Sequence, residues 1–244
     1  MKSAVIIGVG AESGLGGALC RRAAAEGHHV FIVGRTKTRL EAISQAIRTS
    51  GGRATTIVAD VTREQDVIGL FDQVMAPDSL TDAPNLIVYN VGNNKRIDFR
   101  DMSVADFDSF MRAGPVGAFL VGREVARRIV PLGRGTLIFT GASASLRGRP
   151  GFGHFAASKA AVRMISQSMA REYGPQGLHV AHVLIDGGIE GERLRTMYPD
   201  AASERGEDGL LDPEAIADAY WHIHTQQRSA WTQELDLRPF REQF

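Results

Sequence analysis

At 244 residues, 43% of them hydrophobic and 23% charged, the chain has the make-up of an ordinary soluble globular protein and suits one large α/β domain. Lysine plus arginine and aspartate plus glutamate balance at 28 each, so no net field draws it to nucleic acid or an acidic membrane, and a small molecule is the expected partner. The single cysteine, Cys20, excludes an internal disulfide and reads as a buried apolar thiol; no cluster has metal-ligand spacing and no run approaches a membrane span.

The chain enters an apolar run after Met1-Lys2-Ser3, and Gly8 and Gly10 break that run too early for a secretion signal, so the cytoplasm is the expected address. Residues 4–7, 30–33, 56–59, 86–89, 137–140, 180–185 and 234–237 read as strands. Their β-branched, near-continuous character suits strands covered on both faces. Longer amphipathic stretches between them read as helices. Thr38-Arg39-Leu40-Glu41 and Thr62-Arg63-Glu64-Gln65 have capping-box form, Gly27 and Gly51-Gly52 supply stops, and Asp212 caps a helix opening with Pro213. No repeat or linker interrupts the alternation, which predicts a single domain over residues 1–244. Its fold class is Rossmann-type α/β, a doubly wound, mostly parallel seven-stranded sheet with helices on both faces.

Between the first strand and first helix, Gly10, Gly14 and Gly16 have the spacing G-x-x-x-G-x-G, with Ser13 and Leu15 among them. Glycines there let bare amides approach a pyrophosphate at a helix N-terminus, and the flanking strand and helix supply the required context. The second strand ends Val33-Gly34-Arg35. Folds that choose NAD place a carboxylate there for the ribose 2′-hydroxyl. Here it is missing and Arg35 offers a planar cation, which points to NADP(H) in preference to NAD(H).

These residues resemble the short-chain dehydrogenase/reductase family along nearly the whole chain. The glycine turn is similar to its T-G-x-x-x-G-x-G, with Val9 for the threonine. Asp60-Val61 resembles the segment that contacts adenine, and Asn90-Val91-Gly92 the run after the fourth strand. Phe155 through Lys159 falls on Y-x-x-x-K, and Asp186-Gly187-Gly188-Ile189 on P-G-x-I. The resemblance implies that Gly187 and Ile189 line the cofactor and that residues 190–212 form a substrate lid. It also implies that Lys159 binds the nicotinamide ribose. The rest of the catalytic tetrad departs from the pattern. Phe155 stands for the tyrosine, Ala142 for the serine with Ser143 one place later, and Gly114 for the asparagine.

Substitutes for the lost acid are open at this stage. His154 has a suitable pKa but points about 100° away from its helical neighbours, as a surface or capping histidine would. Ser143 either turns its hydroxyl inward or bonds the loop backbone. Tyr198 arrives on lid closure or packs on the lid. Asp186 brings an acid to the nicotinamide end or caps the lid's first turn. Two functions fit: an NADP(H)-dependent oxidoreductase acting on a small carbonyl or alcohol through a non-standard acid, and a catalytically silent NADP(H)-binding sensor or assembly subunit. A lyase or isomerase without net hydride transfer is a third. Helices near residues 105–130 and 155–173 resemble those that pair between subunits, with Phe107, Phe110, Met111, Phe119, Met164 and Met169 as apolar candidates. The expected assembly is a homodimer or homotetramer.

Overall fold

The computed structural model describes residues 1–76 and 81–242. Seven strands, β1 (Ser3–Ile7), β2 (His29–Gly34), β3 (Arg53–Val58), β4 (Leu86–Tyr89), β5 (Thr136–Thr140), β6 (His179–Ile185) and β7 (Glu234–Leu237), form one sheet in the order β3-β2-β1-β4-β5-β6-β7. Every pairing is parallel, so the sheet is wholly rather than mostly parallel. All seven expected strands are present.

The first half of the chain supplies helices α1 (Leu15–Ala25), α2 (Lys37–Thr49), α3 (Glu64–Val74), α4 (Val104–Met111) and α5 (Gly117–Arg128). The second half supplies α6 (Gly153–Tyr173), α7 (Glu192–Met197), α8 (Ala201–Arg205) and α9 (Pro213–Thr225). Alternation along each strand splits the core into two layers. Ala4 and Ile6 of β1 face Leu19, Ile43 and Ile216, whereas Val5 and Ile7 face Phe71, Val121 and Val162. Cys20 lies fully buried in the first layer, and burial pushes its thiol well above the usual range. Among the described residues no helix is long and apolar enough to cross a membrane, and no group of side chains has metal-binding form.

Gly27 and Gly51 end α1 and α2 at positive φ, and the Asp212 carboxylate accepts from the Glu214 amide at the head of α9, as the residues predict. The two capping boxes do not form. Helix α2 starts two residues early, with Thr36 at its cap, and α3 follows Arg63, neither with a side-chain cap. Thr62 stands one residue before that cap and donates its hydroxyl and amide to Asp60, 2.8 and 3.0 Å away.

Strand order reverses between β1 and β4, since the chain leaves β1 toward β2 and returns from β3 to β4. A crevice opens there beyond the carboxyl ends of the strands, where open α/β sheets take ligands.

Candidate functional site

The crevice begins at the glycine turn. Gly8, at φ +91°, bends the chain so closely past β4 that a Cβ would lie 2.7 Å from the Asn90 carbonyl. The Gly8 and Val9 amides both donate to the Val33 carbonyl at 3.0 Å, which pins the turn to β2. A Cβ on Gly17 would lie 2.1 Å from the Glu12 carbonyl oxygen. The turn requires glycine at positions 8 and 17, which the spacing argument overlooked, although the pair Gly16-Gly17 was a visible signal. Gly10 has no atom within 4 Å of its Cβ position, and no side chain caps α1 behind Gly14. The Leu15 and Gly16 amides therefore head a helix open to an anion.

At the far end of β2, a Cβ on Gly34 would stand 2.4 Å from the Val9 carbonyl oxygen. Any carboxylate at this position is excluded sterically. Arg35 follows, exposed, and its charge reaches Asp60. Burial pushes the Asp60 carboxyl up, but hydrogen bonds from Thr62 and the charges of Arg35 and Arg63 outweigh it and hold the group below its usual range. Val61 is buried beside it.

At the other end, the Asn90 amide donates to the Ile7 carbonyl at 2.8 Å and joins the β4 loop to β1. Lys159, on α6, is 6% exposed; its Nζ donates to the Thr140 carbonyl at 2.8 Å and the Val91 carbonyl at 3.3 Å. A Cβ on Gly92 would come within 3.2 Å of that Nζ. Burial, and after it the charge of Arg193, pulls the ammonium down to about 8.

The positions around Lys159 are filled in an unexpected way. Phe155 is half-buried one helical turn before Lys159 and presents no polar atom. Ala142 is extended and Ser143 opens a short 3-10 turn, its carbonyl accepting from Leu146 and Arg147. The asparagine position, Gly114, lies in a π-turn (Arg112–Val116) that interrupts the helix between α4 and α5 and contains Pro115. The Tyr89 hydroxyl donates to the carbonyls of Ala113 and Gly114. A Cβ on Gly114 would fall 1.8 Å from Ser158 Oγ, which itself donates to the Phe110 carbonyl at 3.0 Å. The room of an asparagine is occupied by Ser158.

Two substitutes for the missing acid are removed by their surroundings. His154 is neither a surface nor a capping histidine. It is fully buried edge-on against Phe110 at 4.2 Å between ring centroids, with Nε2 3.0 Å from the Lys95 carbonyl oxygen. Asp186 does not cap the lid, whose first helix follows Gly191. It is 1% exposed and paired with Arg147 at 2.8 Å. Tyr198, at the end of α7, is 52% exposed.

The segment expected to be a lid leaves β6 through Gly187, where a Cβ would strike Pro239 at 2.7 Å, and returns by a single parallel bridge between Ile189 and Leu211. It lies across the crevice as a strap. The Glu192 amide donates to Ser13 Oγ at 3.1 Å, and its carboxylate pairs with Arg39 at 2.8 Å. Arg193 reaches the loop after β4. Beneath α7 a cavity of about 430 Å³ is lined by Ser13, Glu192, Arg195 and Thr196.

The sequence profile of the family described as short chain dehydrogenase matches residues 3–196. Gluconate 5-dehydrogenase of Gluconobacter oxydans is 31% identical over 171 residues, 70% of this chain and 66% of that protein, so the match spans just under two thirds of it. A crystal structure of a short-chain dehydrogenase from Rhodopseudomonas palustris superposes with a TM-score of 0.81 at 31% identity, covering 98% of this chain and all (100%) of that one. A gluconate 5-dehydrogenase from Burkholderia cenocepacia, solved with NADP and tartrate, shares the fold with a TM-score of 0.83 at 23% identity over 98% and 95% of the two chains.

Proposed function

The chain belongs to the short-chain dehydrogenase family of oxidoreductases, and from that premise we propose that it is an NADP(H)-dependent enzyme interconverting a small carbonyl compound and its alcohol without the family's tyrosine, serine and asparagine. The cofactor frame is consistent with this reading at each point. The uncapped head of α1, with Leu15 and Gly16, would hold the diphosphate, Asp60 and Val61 the adenine, and Arg35 the 2′-phosphate that no acid at position 34 opposes. Asn90, Val91 and Gly92 would line the route to Lys159. The G. oxydans relative is a dehydrogenase, and the B. cenocepacia structure was solved with NADP, which supports a nicotinamide cofactor here. When bound, the nicotinamide would supply or accept the hydride.

Lys159 is the observation that carries the reading. Burying an ammonium costs several kcal/mol unless it serves a partner, and this one has two carbonyls and no carboxylate. An ammonium has three N–H bonds, so one is uncommitted. Its proton is the one assigned to the substrate oxygen in reduction, directly or through the ribose hydroxyl. In oxidation Nζ takes the proton back. Depression to about 8 places the group near the pH at which a general acid is most useful.

Calorimetry with NADPH and NADH, followed by a panel of carbonyl substrates, tests this. We expect tighter binding of NADPH and a rate that inflects near pH 8. No heat with either nucleotide, or binding without turnover on any substrate, defeats it. The second outcome would favour a silent NADP(H)-binding protein, a reading that Ser158 in the asparagine's place and Phe155 recommend. New activity on installing Phe155→Tyr with Ala142→Ser would support that alternative.

Assembly as a two-fold dimer or tetramer is part of the proposal. Phe107, Phe119 and Met164 are 38%, 52% and 51% exposed on α4 to α6, whereas Phe110 and Met169 turn into the core. Light scattering decides, and a monomer refutes it.

A further inference from the structure

Arg193 is not among the residues that the proposed function assigns to the cofactor. Its Nη2 donates to Asn93 Oδ1 and Asn94 Oδ1, both at 2.7 Å, and to the Asn94 carbonyl at 3.2 Å, while Nη1 donates to the Gly92 carbonyl at 3.3 Å. Each acceptor is neutral. The nearby carboxylates are engaged elsewhere, Asp186 by Arg147, Glu192 by Arg39 and Asp98 by Arg100. The guanidinium meets Lys159 across one residue, because Gly92 gives its carbonyl to Arg193 and leaves its Cα face against Lys159 Nζ. Among the described residues no carboxylate lies within ion-pair distance of either cation. Two like charges on one glycine, with free N–H bonds on both, raise a positive potential that an anion relieves.

The surroundings narrow the choice of anion. A neutral substrate oxygen finds few donors here, since Phe155, Ala142 and Gly114 offer none and Ser158 is spent on Phe110. The same loop that holds Arg193 continues to Arg96, which with Asp98, Phe99, Pro150 and Gly151 lines a cleft of about 600 Å³. The Arg96 guanidinium is itself part of that lining. The cofactor's own phosphates have a separate seat at the head of α1 and at Arg35.

We propose that Arg193 recognises a carboxylate of the substrate over Gly92, with Lys159 adding to its field, so that the enzyme acts on small hydroxy or keto acids. The inference rests on the oxidoreductase reading and sharpens it to a substrate class. Only one alternative source has the same chemistry, the cofactor diphosphate.

The test uses the full-length protein and calorimetry. NADPH is titrated first, then tartrate and gluconate into the NADPH-loaded and the nucleotide-free protein, with threitol and glucitol as uncharged counterparts. We expect the acids to bind and the polyols not to. Arg193→Gln should weaken the acids by about 10- to 100-fold, the range of a charged hydrogen bond, and leave NADPH within about twofold; Arg193→Lys should recover part of the loss. A fall in NADPH affinity with the acids unchanged assigns Arg193 to the diphosphate and overturns the inference. Equal binding of acids and polyols, or an Arg193→Gln protein that binds both ligands as before, overturns it too. Absence of NADPH heat in the unmodified protein defeats the oxidoreductase reading instead, and acid binding to the nucleotide-free protein still reports on Arg193.

Discussion

The two halves of the crevice are built to different standards. On the β1–β3 side each position agrees with its neighbours: Gly8 and Gly17 permit the close turn, Gly34 removes any acid, and Arg35 and Asp60 stand beyond it. On the β4–β6 side Phe155, Ala142 and Gly114 surround Lys159 without a side-chain donor, and unopposed cations stand beside them. Ligand holding and proton handling are separable in this fold. A chain can keep the first intact while rebuilding the second, because the two are served by loops from different strands.

The largest effect that would break the comparison is at its one shared residue. Lys159→Met should lower turnover by about 10²–10⁴, the usual contribution of a positioned acid, with a smaller loss in NADPH affinity. A steady-state assay that finds normal turnover removes Lys159 from the chemistry. Next, Arg35→Gln should weaken NADPH by about 10- to 100-fold and leave NADH unchanged, read by calorimetry. Gly34→Asp sharpens the contrast further. It is the obvious change toward NAD, yet its Cβ meets the Val9 carbonyl, so it should cost about 1–3 kcal/mol of stability and gain no NADH binding; a thermal melt and a titration settle both points.

Smaller effects probe the scaffold that both halves share. His182 hydrogen-bonds Glu234, which Arg163 also clamps, so β6, β7 and α6 meet at one carboxylate. Burial outweighs Glu234 and holds His182 at about 4; burial likewise holds His224 at about 4. An unfolded histidine titrates near 6.5. Between these values the unfolded chain binds more protons, so stability is whole above about 6.5 and is lost as pH falls toward 4, on the order of 1–3 kcal/mol. Melts at pH 7 and pH 5 should show it, and His182→Asn should flatten the slope. Smallest of all, Thr38→Ala should change stability by less than about 0.5 kcal/mol, since Thr38 caps nothing. Thr62→Val should cost about 1 kcal/mol through Asp60.

The strands and the glycine turn were legible because their signals are local: apolar runs and glycine spacing act within a few residues. The capping boxes failed for a related reason. Thr62 meets the capping pattern, but α3 begins after Arg63, one residue later, and a four-residue pattern does not fix where the first turn starts. The identity of His154 was out of reach, since its partners Phe110 and Lys95 are distant in sequence. Arg193 was also missed. In the sequence it is one charge among several in the lid segment, and only the fold brings it to Gly92 and Lys159. Phe155 and Ala142 were visible as departures at once, but that Ser158 had moved into the gap at Gly114 was not.

That serine sets the order in which an asparagine can be installed at position 114. Asparagine at 114 collides with Ser158 Oγ as long as the hydroxyl stays, so position 158 must shrink first. The intermediate then forfeits a hydrogen bond to Phe110 with nothing in return. Positions 114 and 158 are thus coupled by packing, and the effect of a substitution at one depends on the residue at the other.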